Sequence, residues 1–487
     1  MTRTLLIFFM IQFIFPFTSC EDSLTILPPD GQVKGEYWKK KEDVEATLMG
    51  AYQQFAQMDE RLFYFGELRG DLLADGGNLS NRLRNIMESN IFPSNNWVNW
   101  QPFYSVINYC NLVLKYAPQV KKSDRTFSDF KYRAYISEAT FLRSLAYFYL
   151  VRIYKDVPFV LAPYDTDNQD FFPRKTEDYV ILDSLDTQLN RILSSIPKSY
   201  ETHTQTRGRA TRGAVNALLA DIALWRFDYQ ACIDYVEQVE NNELYELVPA
   251  GEWFTIFSRG NTLEGIFELQ FDSDLGQNNN MFGVTRPQNN NFLASSYLAE
   301  LLSPEKSKEI IRGNGSMNIY DKTIWKYIGS EPDGVSQRSG TERRSCNWVV
   351  YRLAGVLLMK AEALSQMGRF DEALTIINRL RERALVAPLG SHQQTAQAFE
   401  DLILEERAKE LAFEGKRWFD LLRMGRRNNY ERKATLIELI IRNAPATQKR
   451  VLASKLNDTN GWYFPIYDGE IENNPNLRQN PYYQIYE

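Results

Sequence analysis

Histidine is scarce in this chain: 487 residues contain two, His203 and His392, both in polar surroundings. Neither belongs to an HxxxH or HExxH pair or has carboxylates at ligand spacing, so a histidine-built metal centre or a Ser-His nucleophile has little to stand on. A G-x-x-x-x-G-K-[ST] phosphate loop is also missing. Positive charge is not in excess, since 56 Lys and Arg stand against 62 Asp and Glu for a net charge of -6. Without a concentrated cationic surplus, a nucleic-acid partner is set aside. Apart from Cys20, the cysteines are Cys110, Cys232 and Cys346, an odd number at wide spacing that forms neither a disulfide framework nor a CxxC metal site. Cys110 and Cys232 fall within helical patterns and read as small buried apolar residues. No apolar run is long enough to span a bilayer: Leu5 to Phe17, broken by Gln12, rises about 20 Å against a hydrocarbon core of about 30 Å.

That short run nevertheless has a meaning. Arg3 precedes it, and Phe17-Thr18-Ser19-Cys20 closes it with small residues before a cysteine. This is an export signal, residues 1–19, whose end resembles the lipobox of a bacterial lipoprotein. The resemblance implies cleavage before Cys20 and acylation of that cysteine, several chains together giving firm membrane attachment. Glu21 and Asp22 resemble the signal that sends some lipoproteins to the cell surface. Residues 20–36, with Pro28, Pro29, Gly31 and Gly35, read as a tether.

Helical periodicity dominates from residue 37. Glu42 to Gln57, Trp100 to Tyr116 and Tyr132 to Tyr154 are expected helices, the last with Ile136, Ala139, Leu142, Ala146 and Tyr149 on one face. Thr176 is the expected N-cap of a helix running to about Ser195. Leu218 to Val239 and Leu357 to Leu380 look like two copies of a hairpin. In each, an alanine-rich helix meets a short turn, and an aromatic, Tyr229 or Phe370, opens the second helix. Small residues at helical spacing let paired helices approach closely, as in a tetratricopeptide-like unit. Glu400 to Met424 is expected as one long helix, and Ala434 to Ile441 as a C-terminal excursion. Periodicity fades over residues 242–347, where Gly, Asn and Pro accumulate and Gly265 to Phe271 alternates like a strand. The regions are therefore 37–241 and 348–487, both helical, around a loop-rich segment of the kind that carries binding sites.

Five segments, in order, resemble the SusD/RagB family of outer-membrane nutrient-binding lipoproteins. They are Glu138 to Pro158 (EATFLRSLAYFYLVRIYKDVP), Arg209 to Ala220 (RATRGAVNALLA), Arg352 to Leu364 (RLAGVLLMKAEAL), Glu406 to Leu421 (ERAKELAFEGKRWFDL) and Tyr463 to Pro481 (YFPIYDGEIENNPNLRQNP). The match covers nearly the whole mature chain except 242–347 and about 426–460. It implies a mainly α fold: tetratricopeptide-like hairpins forming a right-handed superhelical scaffold, with a loop-rich insertion containing short strands. It further implies a noncatalytic, cofactor-free protein, lipid-anchored at the outer membrane and facing the cell exterior. In that setting it would bind oligosaccharide or polysaccharide and act as a lid over a SusC-like TonB-dependent transporter. Capture of peptide fragments by the same kind of complex is the alternative reading, and a surface glycoside hydrolase, needing two carboxylates, a third.

The charges between Glu406 and Asp420 read as a structural network, with Arg407, Lys409, Lys416 and Arg417 neutralising Glu406, Glu410 and Glu414 at helical spacing. Aromatics beside amides and charges carry the remaining chemistry, because a flat ring stacks on the C-H face of a pyranose while polar neighbours bond its hydroxyls. Candidate ligand contacts are Trp97 with Asn96 and Asn99; Tyr64, Asp75 and Arg84; and Tyr320, Trp325 and Tyr327. Trp97→Ala or Trp325→Ala is expected to weaken retention without unfolding. Trp100, Trp418 and Trp462 are expected in the core.

Overall fold

The computed structural model describes residues 37–289, 291–390 and 395–486; the export signal, Cys20, the tether and His392 lie outside them. Two helices open the fold, α1 (Lys41–Ala56) and α2 (Asp59–Glu67), each with two acidic residues in its first turn, where negative charge suits the helix dipole. β1 (Leu73–Asp75) and α3 (Asn81–Met87) follow. α4 (Gln101–Ser123) carries Pro102 in its first turn, where a missing N–H costs nothing. α5 (Asp129–Tyr154) starts at Ser128, whose hydroxyl accepts from Lys131 N, and stops at Lys155 with φ +68°. α1 packs on α4 and α4 on α5. The periodicity gives α5 one apolar face, but it is buried on nearly every side from Ala134 to Tyr154, with Ile136 an exception. It is a central helix, and Arg143 on it is bonded inside the protein, donating to Asn111 and Gln188.

β2 (Val157–Pro158) pairs with β3 (Lys175–Thr176), so Thr176 belongs to a strand. Helix α6 (Asp178–Ile192) is instead preceded by Glu177 as N-cap residue. After α7 (His203–Gly208), the hairpin α8 (Arg212–Trp225) and α9 (Tyr229–Glu240) turns at Phe227, φ +64°, and Asp228 caps α9. Through the described residues of 242–347 the chain forms short helices and two strands, β4 (Gly265–Leu269) and β5 (Phe292–Ala294). β5 pairs antiparallel with β1, and β4 with β6 (Trp348–Arg352), so this segment is tied by hydrogen bonds to the regions on both sides. A second hairpin, α10 (Leu353–Gln366) and α11 (Phe370–Arg383), turns at Gly368 and packs on α9. The two hairpins expected from the alanine pattern are thus stacked through α9 and α10, and their opening aromatics are the first residues of α9 and α11.

The segment expected as one helix from Glu400 to Met424 is two, α12 (Ala396–Leu411) and α13 (Arg417–Tyr430), the latter interrupted at Arg427–Asn429. The break is conformational, because Phe413 and Gly415 sit at φ +67° and +70°, outside the helical region. α14 (Lys433–Ile441) and α15 (Ala446–Asn457) follow. Trp100, Trp418, Trp462, Cys110 and Cys232 are all buried.

The turn between α12 and α13 packs backbone to backbone on α2. A Cβ at Gly66 would stand 1.9 Å from the Gly415 carbonyl oxygen. Gly66→Ala is therefore expected to cost at least the ~1–3 kcal/mol of an overpacked core, visible as a lower urea midpoint; wild-type stability would mean that the turn yields freely. At the same contact the buried Glu67 carboxyl accepts from Gly415 N at 2.8 Å and Lys416 N at 3.1 Å. Burial, only partly offset by those bonds and by Arg417, pushes Glu67 up to about 8. An unfolded glutamate titrates near 4.3, so between about pH 5 and 8 the unfolded chain binds fewer protons at this position. The contribution of Glu67 to stability therefore falls as pH rises through that window. Glu67→Gln is expected to gain on the wild type between pH 5 and pH 8 in urea unfolding. A difference that stays constant with pH would show Glu67 ionised in the fold.

The charged motif is structural, as its spacing suggests, but its partners come from elsewhere in the chain. Arg352 on β6 donates to Glu264, Glu410 and Glu414 at 2.6–2.8 Å. Arg312 bonds Glu309 and Glu406, and Lys326 bonds Glu414. Of the local cations expected to neutralise these carboxylates, Arg407 turns to Asp420, Lys409 to Glu405, Lys416 to the Val350 carbonyl and Arg417 to Asp71. A helix buried on several sides exchanges helical-neighbour pairing for tertiary pairing, because every charge left dry needs a partner.

Candidate functional site

Pairwise contacts link α2, α3, the loop before α4 and the β1–β5 ribbon. The loop is held by Asn95, whose side chain accepts from Trp97 N at 3.1 Å and donates to the Arg82 carbonyl at 2.9 Å. That second bond ties the short 3-10 turn Asn96–Val98 to α3. The Trp97 indole is half-buried, with Tyr64 edge-on at 4.8 Å and 85° and the Arg61 guanidinium 5.0 Å from its centroid. Arg61 also donates to the Trp97 carbonyl at 3.2 Å. Arg61 and Tyr64 are three apart on α2 and so share a side of the helix. Burial, then Glu60 beside it, pushes the Tyr64 phenol well above its ordinary range, so it stays a neutral donor to Glu60 at 2.6 Å.

Asp75, exposed at the end of β1, bonds Arg84 of α3 at 2.8 Å, and Arg84 also reaches Asn81. Across the ribbon, Asp75 stands opposite Phe292, whose ring lies 5.9 Å from Tyr64. β5 continues by a bridge from Leu293 to Thr323 and a bond from Ala294 N to the Lys322 carbonyl. This places the turn Asn318–Thr323 beside the ribbon with Tyr320 at its tip, 88% exposed. Asn96 is exposed, while the Asn99 side chain accepts from Gln101 N and starts α4.

Trp97, Tyr64, Asn96, Asp75, Arg84 and Tyr320 are thus drawn onto elements that touch one another, although Tyr64 supports the Trp97 ring from within instead of presenting a face. Trp325 and Tyr327 are corrections. Trp325 is 1% exposed, donates to the Glu331 carbonyl at 2.6 Å and belongs to a small second core with Trp253 and Phe257. Tyr327 is stacked on Trp348 at 5.8 Å, and its hydroxyl donates to the Phe413 carbonyl. The physical reason is that residues 323–329 are buried without alternation as they pass beneath the turn. Sequence reasoning missed Arg61 and Phe292, although the three-residue spacing of Arg61 and Tyr64 was a usable signal.

Of the carboxylates on these elements, Glu60 is engaged by Tyr64, Asp75 by Arg84 and the exposed Asp321 by Thr323 N. Among the described residues no group of three or more His, Cys, Asp and Glu side chains is placed to hold a metal ion, and no helix is long and apolar enough to cross a membrane.

Comparisons with known proteins agree on one lineage. A family model described as "SusD family" matches residues 305–483, and one described as "Starch-binding associating with outer membrane" matches residues 30–224. The first runs through 305–347 and 426–460, stretches that sequence motifs left unmatched. SusD-like protein P38 of Formosa agariphila is 23% identical, over 95% of this chain and 96% of its own. SusD-like protein P2 of the same organism is 25% identical, over 83% and 86%. Among solved structures, a SusD superfamily protein of Bacteroides vulgatus aligns with 92% of this chain and all of its own, with TM-score 0.75 and 20% identity. A laminarin-binding SusD-like protein aligns over 91% and 99%, with TM-score 0.71 and 19% identity. These structural likenesses show a mostly helical scaffold with few short strands.

Proposed function

We propose that this chain, which belongs to the SusD/RagB family, is a noncatalytic outer-membrane lipoprotein anchored through Cys20 that captures oligosaccharide or polysaccharide at the Trp97 face. The captured glycan then passes to a SusC-like TonB-dependent transporter. One observation carries the reading: a half-buried tryptophan, braced by Tyr64 and Arg61, lies on the same group of elements as the exposed Asp75–Arg84 pair, Asn96 and Tyr320. A braced ring offers a fixed apolar plane for a pyranose, and the polar groups around it offer donors and acceptors for hydroxyls. The bonds that hold Glu60 and Asp75 suit binding better than proton transfer, and the laminarin-binding relative of the same fold supports a glycan over a peptide.

The test is native affinity electrophoresis of the full chain in gels containing laminarin, amylopectin, galactomannan, alginate or polygalacturonate. Retardation in at least one gel, with no shortening of the polymer on incubation, is expected. Free migration in all five gels, together with calorimetric binding of oligopeptides, would replace the glycan reading by the peptide one.

A further inference from the structure

We infer that the groove between α1, α7 and the loop after β4 is a second glycan-binding subsite, selective for uncharged sugar. The inference rests on the carbohydrate reading above and narrows it to neutral glycans.

The groove has a volume of about 570 Å³, within the range of pockets that take small ligands. Its chemistry is unusual for this protein. A quarter of the chain is charged, 24% of residues, yet of the 17 residues lining the groove only Arg209 carries charge. That charge is already matched, because the guanidinium makes two bonds to the buried Glu138 carboxylate at 2.7 and 2.9 Å. Tyr52 closes the same cluster, donating to Glu138 and accepting from Ala210 N. What remains open is neutral. Gln53 on α1, Gln57 just past its end, Gln205 on α7 and Gln277 on the loop all line it. Their carboxamides are exposed and make no side-chain hydrogen bond among the described residues.

Each carboxamide offers two donors and an acceptor. Four of them around an apolar floor that includes Met49 and Leu269 match a sugar ring, which has C-H faces and hydroxyl edges. The same lining gives no countercharge for a uronate, a sulfate or a peptide terminus, whose desolvation would go uncompensated. The groove's loop also reaches α2, the helix that braces Trp97. The loop is fastened to the head of α2 by two bonds from Asn280 to Asp59, at 2.7 and 2.8 Å. Arg61, two residues further along α2, is the side chain that lies over Trp97. A single polymer contacting both sites would gain from the raised effective concentration at the second.

The test uses the same five gels with Gln53→Ala/Gln277→Ala and with Gln53→Glu/Gln277→Glu. A third variant, Thr204→Arg, fills the groove from the α7 side by bulk. Each lost neutral hydrogen bond is worth roughly a two- to tenfold change in affinity. The alanine pair is therefore expected to weaken retention in the neutral gel about tenfold, the glutamate pair at least as much, with unchanged melting temperature. Wild-type retention in a neutral gel together with wild-type behaviour of all three variants would overturn the subsite and leave the Trp97 reading standing. Retention in the alginate or polygalacturonate gels alone would overturn the neutral selectivity. Free migration of the wild type in every gel would remove the carbohydrate reading, and the groove with it.

Discussion

Glu410→Ala is expected to destabilise the fold by about 3–5 kcal/mol, the range found when one member of a buried ion pair is removed. Glu410 is fully buried, and its side chain accepts from Arg352, Arg383 and the Trp253 indole, with Arg312 also within reach. Burial alone would raise its carboxyl; the guanidinium groups of Arg383, Arg352 and Arg312 outweigh that and hold it well below the usual range. Alanine would leave these cations dry with fewer acceptors, and the same cations fix β6, α11 and the helix before Met317 to α12. Urea unfolding reads the loss as a lower midpoint at similar slope. Breaking the exposed Arg369–Glu372 pair is the control and is expected to change nothing measurable. A Glu410→Ala midpoint equal to the control's would mean that water or a repacked acceptor replaces the carboxylate.

This network also shows where reading the sequence succeeds and where it stops. The helix pairs were legible because their signal is local: alanines at helical spacing, a turn, and an aromatic at the start of α9 and of α11. That Glu406 to Asp420 is structural was legible from the one-turn spacing of its carboxylates among cations. Its true partners, Arg312, Arg352 and Arg383, lie 27 to 98 residues away from Glu410 in the chain, and no spacing rule reaches that far. The break between α12 and α13 was hidden for a related reason. Phe413 and Gly415 leave the helical region where α2 packs against the turn, a contact between distant segments. At the candidate site, Trp97 and Tyr64 were chosen for composition, and the fold does place them together. Trp325 was chosen on the same grounds. Its polar neighbours Tyr320 and Asp321 are exposed, but the chain dives inward over the next few residues, and composition carries no information about depth.

Trp97→Ala and Trp325→Ala should consequently separate, although both delete an indole. Trp97 is half-buried, and its turn is fixed by Asn95 and by the Arg61 bond to its main-chain carbonyl, neither of which needs the ring. Trp97→Ala is expected to keep a melting temperature near the wild type. It should weaken glycan retention by about 2 kcal/mol or more, the loss typical of an aromatic anchor, which corresponds to roughly 30-fold. Trp97→Phe should recover part of that loss, because a flat face returns without the full area. Trp325→Ala empties a core position and is expected to cost about 3–5 kcal/mol of stability, with retention by the fraction that remains folded close to normal. Affinity electrophoresis and thermal unfolding of the three proteins decide it. If Trp97→Ala binds as tightly as the wild type, the braced indole is only packing, and the ligand rests on other parts of the surface.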